Sequence, residues 1–184
     1  MLNIKYLNKT EYIKKIKKLN DIYWNETYKG RWKYIVYVIS ELRKIKPKKV
    51  LELGSYKVNL TNISDNMDIN IDFIDKDNIN NKKFIQDASI LPWNIEDKYY
   101  DVFVGLQVFE HLGENQSDIF KEVMRISKNA IISLPYLWDK PDDKIHHMID
   151  DNKIKEWTNN ILPEKIIYIK TPDSRKRVIY FFKF

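Results

Sequence analysis

The chain has 184 residues, a length that fits a single domain with a substantial apolar core. Hydrophobic residues make up 43% of it and aromatic residues 14%, which excludes a disordered chain despite 32% charged residues. The absence of cysteine excludes disulfides, thiolate metal sites and cysteine nucleophiles. The net charge of +6 would suit a polyanion, but a lysine-rich composition also explains it, so nucleic acid is not the favoured partner.

The N-terminal part of the chain predicts helices. Residues 1–46 are expected to form the helical start of one domain spanning residues 1–184, with its core in residues 47–184. Apolar residues at helical spacing predict helices over residues 10–19 and 32–45, the first with a lysine-rich, solvated face.

Neither export nor membrane insertion is predicted. Lysines are spread through the first 18 residues, where a signal peptide would need an uninterrupted apolar segment. No window of the sequence approaches the run of about 18 apolar residues that a membrane-spanning helix needs. We therefore expect a soluble, cytoplasmic protein.

Residues 50–53 (VLEL) predict a strand that is buried on both faces of a parallel sheet. Glu52 is the exception in this run, because a buried carboxylate is costly unless it is hydrogen-bonded or paired. We expect it to face a polar site at the carboxyl end of the strand. Gly54 follows, and the absence of Cβ lets the backbone turn sharply and approach a ligand. Ligands of open α/β sheets bind at this edge, so the segment predicts a nucleotide-like site.

The segment after Gly54 supports a helix only weakly. Residues 62–70 are too rich in Asn and Asp for a helix interior. A second strand is expected within residues 66–75 and a short third strand over residues 83–87.

The second half of the chain alternates apolar runs with amphipathic segments. Its last two strands must be antiparallel, because a parallel pair needs a longer crossover. The predicted elements are strands at residues 100–106 and 130–134, the latter stopped by Pro135; a helix at 118–126 capped by Ser117; a helix capped by Asp150 or Asp151 and running through Trp157; and strands at 164–170 and 177–184.

Several short motifs follow the predicted strands in a characteristic order. They are residues 51–54 (LELG), an acidic second strand, residues 86–88 (QDA) with 91–93 (LPW), residues 100–112 (YDVFVGLQVFEHL), residues 131–135 (IISLP) and the terminal antiparallel pair. In this order and spacing they resemble the class I S-adenosylmethionine-dependent methyltransferases of the compact type 11/12-like kind, over residues 49–184.

The resemblance implies an α/β, Rossmann-like doubly wound sheet of about seven strands, mostly parallel with an antiparallel C-terminal strand, and with helices on both faces. It also implies that S-adenosyl-L-methionine is the cofactor and lies across the strand ends. The implied cofactor-binding residues are Glu52, Gly54, Ser55 and Tyr56 in the first loop, Asp87 and Ala88 at the adenine, and Gln107 near the methionine moiety or the acceptor.

Two features depart from the family pattern. Tyr56 and Val58 stand where the family has further glycines, so the loop passes the cofactor less closely or with another shape. The acid that binds the ribose hydroxyls is also open. Ordinary spacing selects Asp75, whereas a short loop in place of the first helix selects Asp68.

Three histidines follow the predicted strands at residues 100–106 and 130–134, at the predicted edge of the site. Methyl transfer to an alcohol benefits from a base, so His111, His146 and His147 are the candidate catalytic residues. For His111 the alternative is a local hydrogen bond at a helix start, with Glu110 stabilising the N-terminus of that helix.

A divalent metal is a further hypothesis. Glu110 and His111 with a later histidine, His147, are similar to the metal-binding pattern of small-RNA 2′-O-methyltransferases. That pattern begins with another Glu where this chain has Gln107, a weaker and neutral ligand. A metal is therefore not part of the main prediction.

The sequence thus predicts a methyltransferase that uses S-adenosylmethionine and acts on a hydroxyl of a sugar, a glycan precursor or a small metabolite. One alternative is a methyltransferase-like, non-catalytic module that binds RNA or a protein partner, and another is an RNA 2′-O-methyltransferase. A nicotinamide-dependent oxidoreductase is disfavoured, because no Gly-x-Gly-x-x-Gly follows the first strand.

Overall fold

Helices cover both faces of a mixed sheet in the computed structural model, which describes residues 3–19, 28–55, 58–67, 88–170 and 175–184. The strands in these residues are β1 (Val50–Leu53), β2 (Ser64–Met67), β3 (Val102–Leu106), β4 (Asn129–Tyr136), β5 (Lys165–Lys170) and β6 (Lys176–Lys183). Their order in the sheet is β2-β1-β3-β4-β6-β5. Strands β1 to β4 pair in parallel, and β6 runs antiparallel to both of its neighbours. The predicted Rossmann-like architecture is confirmed.

The described part of the chain contributes six strands to this sheet, compared with about seven predicted. The third strand predicted at residues 83–87 lies outside the described residues. The terminal antiparallel pair is confirmed, with Ile167 opposite Ile179. The carboxyl ends of β1, β3 and β4 share one edge of the sheet, so the segments that follow them lie together.

Strand β2 begins earlier than the predicted window of residues 66–75. It pairs in register with β1, with Val50 opposite Ser64 and Leu53 opposite Met67. The described residues between Leu53 and Ser64 contain no helix. A parallel crossover ordinarily takes a dozen or more residues and a helix, so this connection is short. The alternative with a loop in place of the first helix is the one observed.

The two N-terminal helices pack on one face of the sheet. Helix α1 (Lys9–Leu19) buries Tyr12 and Ile16 and exposes its lysines, as predicted. Helix α2 (Tyr28–Ile45) begins four residues before the predicted start at Trp32. None of the helices in the described segments combines the length and apolar character that a bilayer crossing requires.

The other face of the sheet is covered by α3 (Gln116–Ile126) and α4 (Asp151–Trp157). Asp150 caps α4, because its side chain accepts the Lys153 N–H at 2.9 Å. The predicted cap of α3 by Ser117 is wrong. That helix already begins at Gln116, and the Ser117 hydroxyl instead bonds to Asn159 Oδ1 at 2.7 Å.

Pro135 does not stop β4, which continues to Tyr136. The pairing of β4 with β3 ends at Ser133, so Pro135 faces a hydrogen-bonded neighbour only on the β6 side, opposite Arg177. A proline is tolerated where a strand has a free edge, because no N–H is required there.

Candidate active site

A pocket opens where β1 ends, between the sheet and α2. Gly54 has φ +64°, and a Cβ at this position would lie 2.6 Å from Cγ2 of Val108, so any larger residue would force a shift. The predicted role of Gly54 in a close turn therefore agrees with the backbone. The polar lining of the pocket comes from Arg31, Tyr34, Glu52 and Ser55, and its apolar lining includes Val58, Leu60 and Val104.

Glu52 is buried and lines this pocket, but its carboxylate is held by the chain itself. Its two oxygens accept the Leu60 N–H at 2.9 and 3.1 Å, and the Ser64 hydroxyl donates to Oε1. Burial raises the pKa of Glu52 to about 7, against the lowering effect of these hydrogen bonds. Glu52 therefore fixes the short connection from β1 to β2.

Of the other predicted cofactor-binding residues, three lie in the described part of the chain and four lie outside it. Ser55 donates its hydroxyl to Asn66 Oδ1 at 2.9 Å, which ties the first loop to β2. Gln107 has φ 55° at the end of β3 and donates its side-chain amide to Ser133 Oγ at 3.2 Å. Ala88 is fully buried and its carbonyl accepts the Trp93 indole N–H at 3.1 Å. Tyr56, Asp68, Asp75 and Asp87 lie outside the described residues.

A second group of polar side chains follows β3 and β4 at the same edge. Glu110 and His111 lie in a single 3₁₀ turn, Phe109–His111, directly after β3. They meet His146 from the segment after β4, and one ligand atom of each residue lies within 4.8 Å of the other two. We call Glu110, His111 and His146 the histidine–glutamate cluster.

Glu110 is the buried member of the cluster, with 5% of its surface exposed. In the described part of the chain its Oε2 has no hydrogen-bond partner. Burial raises the pKa of Glu110 to about 8, although the positive charges of Arg177 and Arg31 act in the opposite direction. Partial loss of hydration around its imidazole, together with the neighbouring His146, lowers the pKa of His111.

His146 is oriented by two neighbours. Its Nδ1 lies 2.8 Å from both carboxylate oxygens of Asp143, which leaves Nε2 as the nitrogen for a ligand. Its ring meets the His111 ring edge-on at 4.9 Å between centroids and stacks on Trp138 at 5.9 Å. The imidazole is therefore fixed by a charge on one side and an indole on the other.

His147 is not part of the cluster, so among the three candidate metal ligands Glu110, His111 and His147 the structure replaces His147 by His146. Its Nδ1 accepts the Lys140 backbone N–H at 3.1 Å, which holds the ring in the loop. The backbone N–H groups of His146 and His147 both point to the Asp143 carbonyl in one turn. Adjacent side chains of a turn diverge, and only His146 reaches Glu110 and His111.

Sequence reasoning missed Asp143 and Arg31 as parts of the site. Asp143 stands three residues before His146, at the end of the aspartate-rich residues 139–143, and this spacing allows a carboxylate to meet an imidazole within one turn. Arg31 lies in the first part of α2, within the aromatic segment at residues 28–32. No signal in the sequence separates it from the many other basic residues.

The sequence matches no family model and no curated protein. Its structure is similar to that of an S-adenosylmethionine-dependent methyltransferase from Clostridium acetobutylicum, with a TM-score of 0.65, 12% identity, and coverage of 91% of this chain and 98% of that chain. It is also similar to the methyltransferase domain of bacterial CtHen1, with a TM-score of 0.56, 15% identity, and coverage of 82% and 97%. For a methyltransferase from Aquifex aeolicus the values are 0.55, 14%, 92% and 97%.

The chain has the S-adenosylmethionine-dependent methyltransferase fold. At these identities the similarity concerns the fold, and it agrees with the family resemblance of the sequence motifs. In a methyltransferase fold of this kind, the pocket at Gly54 lies at the carboxyl edge of the sheet, where open α/β sheets bind their ligands. The histidine–glutamate cluster lies at the ends of the neighbouring strands of that edge.

Proposed function

We propose that the chain is a methyltransferase that takes its methyl group from S-adenosylmethionine and transfers it to a hydroxyl of a sugar, a glycan precursor or a small metabolite. The observation that carries the proposal is the adjacency of two features in a methyltransferase fold. These are the pocket behind Gly54 and the histidine–glutamate cluster at the end of β3. Arg31 links them, since it lines the pocket and its charge acts on Glu110.

The proposed cofactor contacts begin with the first loop, at Gly54, Ser55 and Tyr56. Asp68 is the proposed partner of the ribose hydroxyls, because β2 ends at Met67 and the connection before it is short. Asp75 was the alternative for a chain with an ordinary first helix. The adenine would meet Asp87 and the Ala88 amide, and the methionine moiety would approach Gln107.

When bound, S-adenosylmethionine supplies a methyl group on a sulfonium, and its transfer leaves a neutral thioether. The residues of this chain have the tasks of aligning the acceptor and taking its proton. In the proposed step, the acceptor oxygen forms a bond to the methyl carbon as the carbon–sulfur bond breaks. The hydroxyl proton passes to an imidazole of the histidine–glutamate cluster. Burial raises the pKa of Glu110 to about 8, so its carboxyl would stabilise the imidazolium in the ionised form, which is reached as the pH rises through that value.

The cluster also fits a divalent metal ion. One carboxylate and two imidazoles are suitable donors for first-row transition metals, and Glu110 Oε2 is buried without a hydrogen-bond partner among the residues that the structure describes. An ion held by Glu110, His111 and His146 would lower the pKa of an acceptor hydroxyl.

This donor set favours one second candidate, an RNA 2′-O-methyltransferase. The support is the pattern of Glu110, His111 and a later histidine, now with His146 in the third place. It remains an alternative because the first acid of that pattern is absent.

Turnover tests the proposal. The purified chain would be incubated with S-adenosylmethionine, with and without Mn²⁺, and with sugars, ribonucleosides or a short oligoribonucleotide as acceptors. We expect acceptor-dependent release of S-adenosylhomocysteine. Release with the oligoribonucleotide alone would select the RNA alternative. No release with any acceptor, together with salt-sensitive binding of the oligoribonucleotide, would favour the non-catalytic module.

A further inference from the structure

Strand β5 stands at one end of the sheet, and its outer edge is unpaired in the described part of the chain. The order of the described strands gives it a single neighbour, β6. Their pairing runs without interruption from Lys165 to Lys170, so no bulge turns the edge away. In an antiparallel pair, every second residue directs its N–H and C=O groups away from the partner strand. Among the described residues, these outward groups of β5 make no backbone hydrogen bond.

The side chains of β5 protect this edge only at its two ends. Natural edge strands are usually blunted by charges, by proline or by a bulge. In β5 the charges are the terminal Lys165 and Lys170, and residues 166–169 between them read IIYI. Ile166 and Tyr168 are 41% and 52% exposed. An apolar edge of this kind tends to pair with a further strand.

Helix α2 forms one wall of an open groove along the same edge. Lys33, Val36 and Tyr37 lie on one face of α2, because residues three and four positions apart are neighbours on a helix. Val36 and Tyr37 are both exposed. The groove is lined by these three residues, by Trp32 and by residues 168–170 of β5. A strand added to β5 would therefore contact an apolar helix face as well as the sheet edge.

The charge at this groove is positive, and the described residues do not neutralise it. Lys33 and Lys170 line the groove, and neither forms an ion pair with any residue that the structure describes. Lys165, at the other end of β5, pairs with Glu41. The described lining contains no acidic side chain. Charge complementarity therefore favours an acidic partner over a neutral or a basic one.

A second copy of the chain fits the same edge poorly. In an antiparallel two-fold pair of β5 strands, Lys165 of one copy would lie near Lys170 of the other, at both ends of the pair. Like charges that meet across neighbouring strands destabilise the pairing. An extended segment with carboxylates at its ends avoids this repulsion.

We infer that the edge of β5 and the groove beside it bind an extended, acidic segment of a partner protein by strand addition. Backbone hydrogen bonds to β5 would hold the segment, and its central side chains would contact the exposed apolar residues of β5 and α2. Its carboxylates would meet Lys33 and Lys170. The inference goes beyond the proposed function and does not depend on it, because α2 contributes other residues, Arg31, Tyr34 and Ile35, to the pocket at Gly54.

Selection from a displayed library of random linear nine-residue peptides, on the immobilised whole chain, tests this inference. We expect the enriched peptides to carry β-branched or aromatic residues in the centre and Asp or Glu at the ends. The tightest of them is the probe, and fluorescence anisotropy measures its affinity. Enrichment of neutral or basic peptides would overturn the inference, and so would the absence of any enrichment.

Charge reversal separates this groove from basic residues in general. The double variant Lys33→Glu with Lys170→Glu should weaken binding of the probe by about tenfold, because an attraction becomes a repulsion at each position. Lys14→Glu with Lys18→Glu is the matched control, since both lysines are exposed on α1 and the net charge changes equally. We expect wild-type affinity in the control. Equal weakening in the two double variants would reduce the binding to non-specific attraction and contradict the inference.

Hydrogen exchange tests whether the backbone of β5 takes part. Binding of the probe should slow the exchange of outward amides within residues 165–170, because they gain hydrogen-bond acceptors. Unchanged exchange in this segment at saturating probe would exclude strand addition. Thermal unfolding followed by circular dichroism verifies that each variant is folded.

Sedimentation of the chain without peptide tests the competing occupant, a second copy. Ile166→Lys places a charge on the exposed apolar part of the edge, which blocks strand pairing. We expect this variant to sediment like the wild type and to bind the probe about tenfold more weakly. A wild-type dimer that Ile166→Lys dissociates would assign the edge to a second copy and overturn the inference of an acidic partner.

Discussion

Two buried carboxyl groups lie near the ends of neighbouring parallel strands, and they differ in whether the described residues satisfy their oxygens with hydrogen bonds. Glu52 in β1 is 3% exposed and its oxygens accept hydrogen bonds from Leu60 and Ser64. Glu110 after β3 is 5% exposed, yet its Oε2 has no partner in the described residues. Burial raises the pKa of both, to about 7 and about 8.

The difference separates a structural acid from one that is available for chemistry. A buried acceptor without a hydrogen-bond partner costs about 1–3 kcal/mol of stability. Such a group is expected where a catalytic role or a bound ion accounts for it. Both carboxylate oxygens of Glu52 accept hydrogen bonds from the connection between β1 and β2 and from the start of β2. Glu110 points its free oxygen into a group with two imidazoles. The predictions below test this contrast, from the largest expected effect to the smallest.

Replacement of Glu110 is expected to remove activity without removing the fold. Glu110→Gln keeps the volume of the side chain but removes the carboxyl of the histidine–glutamate cluster, so the cluster can no longer form a carboxylate. Turnover should fall by about a thousandfold, the middle of the range of about 100- to 10,000-fold that a general acid or base contributes. The matched control is Glu114→Gln, which neutralises an exposed acid four residues later. Wild-type turnover in Glu110→Gln would contradict the assigned role.

Replacement of Glu52 is expected to affect stability first. Glu52→Ala leaves the buried Leu60 N–H without its acceptor and opens a cavity behind the pocket. The free energy of unfolding should fall by about 3 kcal/mol. Urea denaturation followed by circular dichroism measures it, with Glu114→Ala as the exposed counterpart. A loss no greater than that of the control would show that Glu52 does not hold the connection.

The raised pKa of Glu52 gives a defined pH dependence. The carboxyl titrates near 4.5 in the unfolded chain and near 7 in the folded one, so its contribution to stability is complete below pH 4.5. That contribution is lost as the pH rises from about 4.5 to about 7. Glu52→Gln cannot titrate. The unfolding free energy of the wild type, measured relative to Glu52→Gln, should therefore decline across this window and stay level above it; a constant difference would refute the shift.

Asp143 should have a smaller effect, through the orientation of His146. Asp143→Asn weakens the charged partner of Nδ1 while the loop keeps its length. Turnover should fall by about tenfold and the affinity for S-adenosylhomocysteine should not change, as is usual for a group that orients a ligand residue. Asp118→Asn is the control, because Asp118 also pairs with a cation in the same helical turn, Lys121, at 2.8 Å. Equal effects of the two variants would reduce Asp143 to a surface residue.

The fold could be predicted wherever the sequence carries continuous apolar runs. Strands β1 and β3 follow directly from such runs. The predicted position of β2, within residues 66–75, was too late in the sequence. The observed strand, Ser64–Met67, is mostly polar and is held by side-chain hydrogen bonds to distant residues. Ser64 donates to Glu52, and Asp65 accepts the Tyr100 hydroxyl at 2.9 Å. Local patterns do not contain these partners.

Candidate site residues could be predicted where the end of a single strand places them. Glu110 and His111 follow from their place after a buried strand. The choice between His146 and His147 depends on a turn around Asp143, and neighbouring histidines are equivalent at the level of sequence. Lys140 and Arg177 meet over the Trp138 ring although they are more than thirty positions apart, and the register of β6 against β4 brings them together.

Calorimetric titration with S-adenosylhomocysteine, with and without Mn²⁺, tests the central claim most directly. The account predicts binding at micromolar affinity or tighter, about 8 kcal/mol or more, by the wild-type chain. It predicts the same affinity for Glu110→Gln, because the proposed cofactor pocket is the one behind Gly54 and not the histidine–glutamate cluster. No detectable binding by the wild type would contradict the assignment of a methyl donor to this fold.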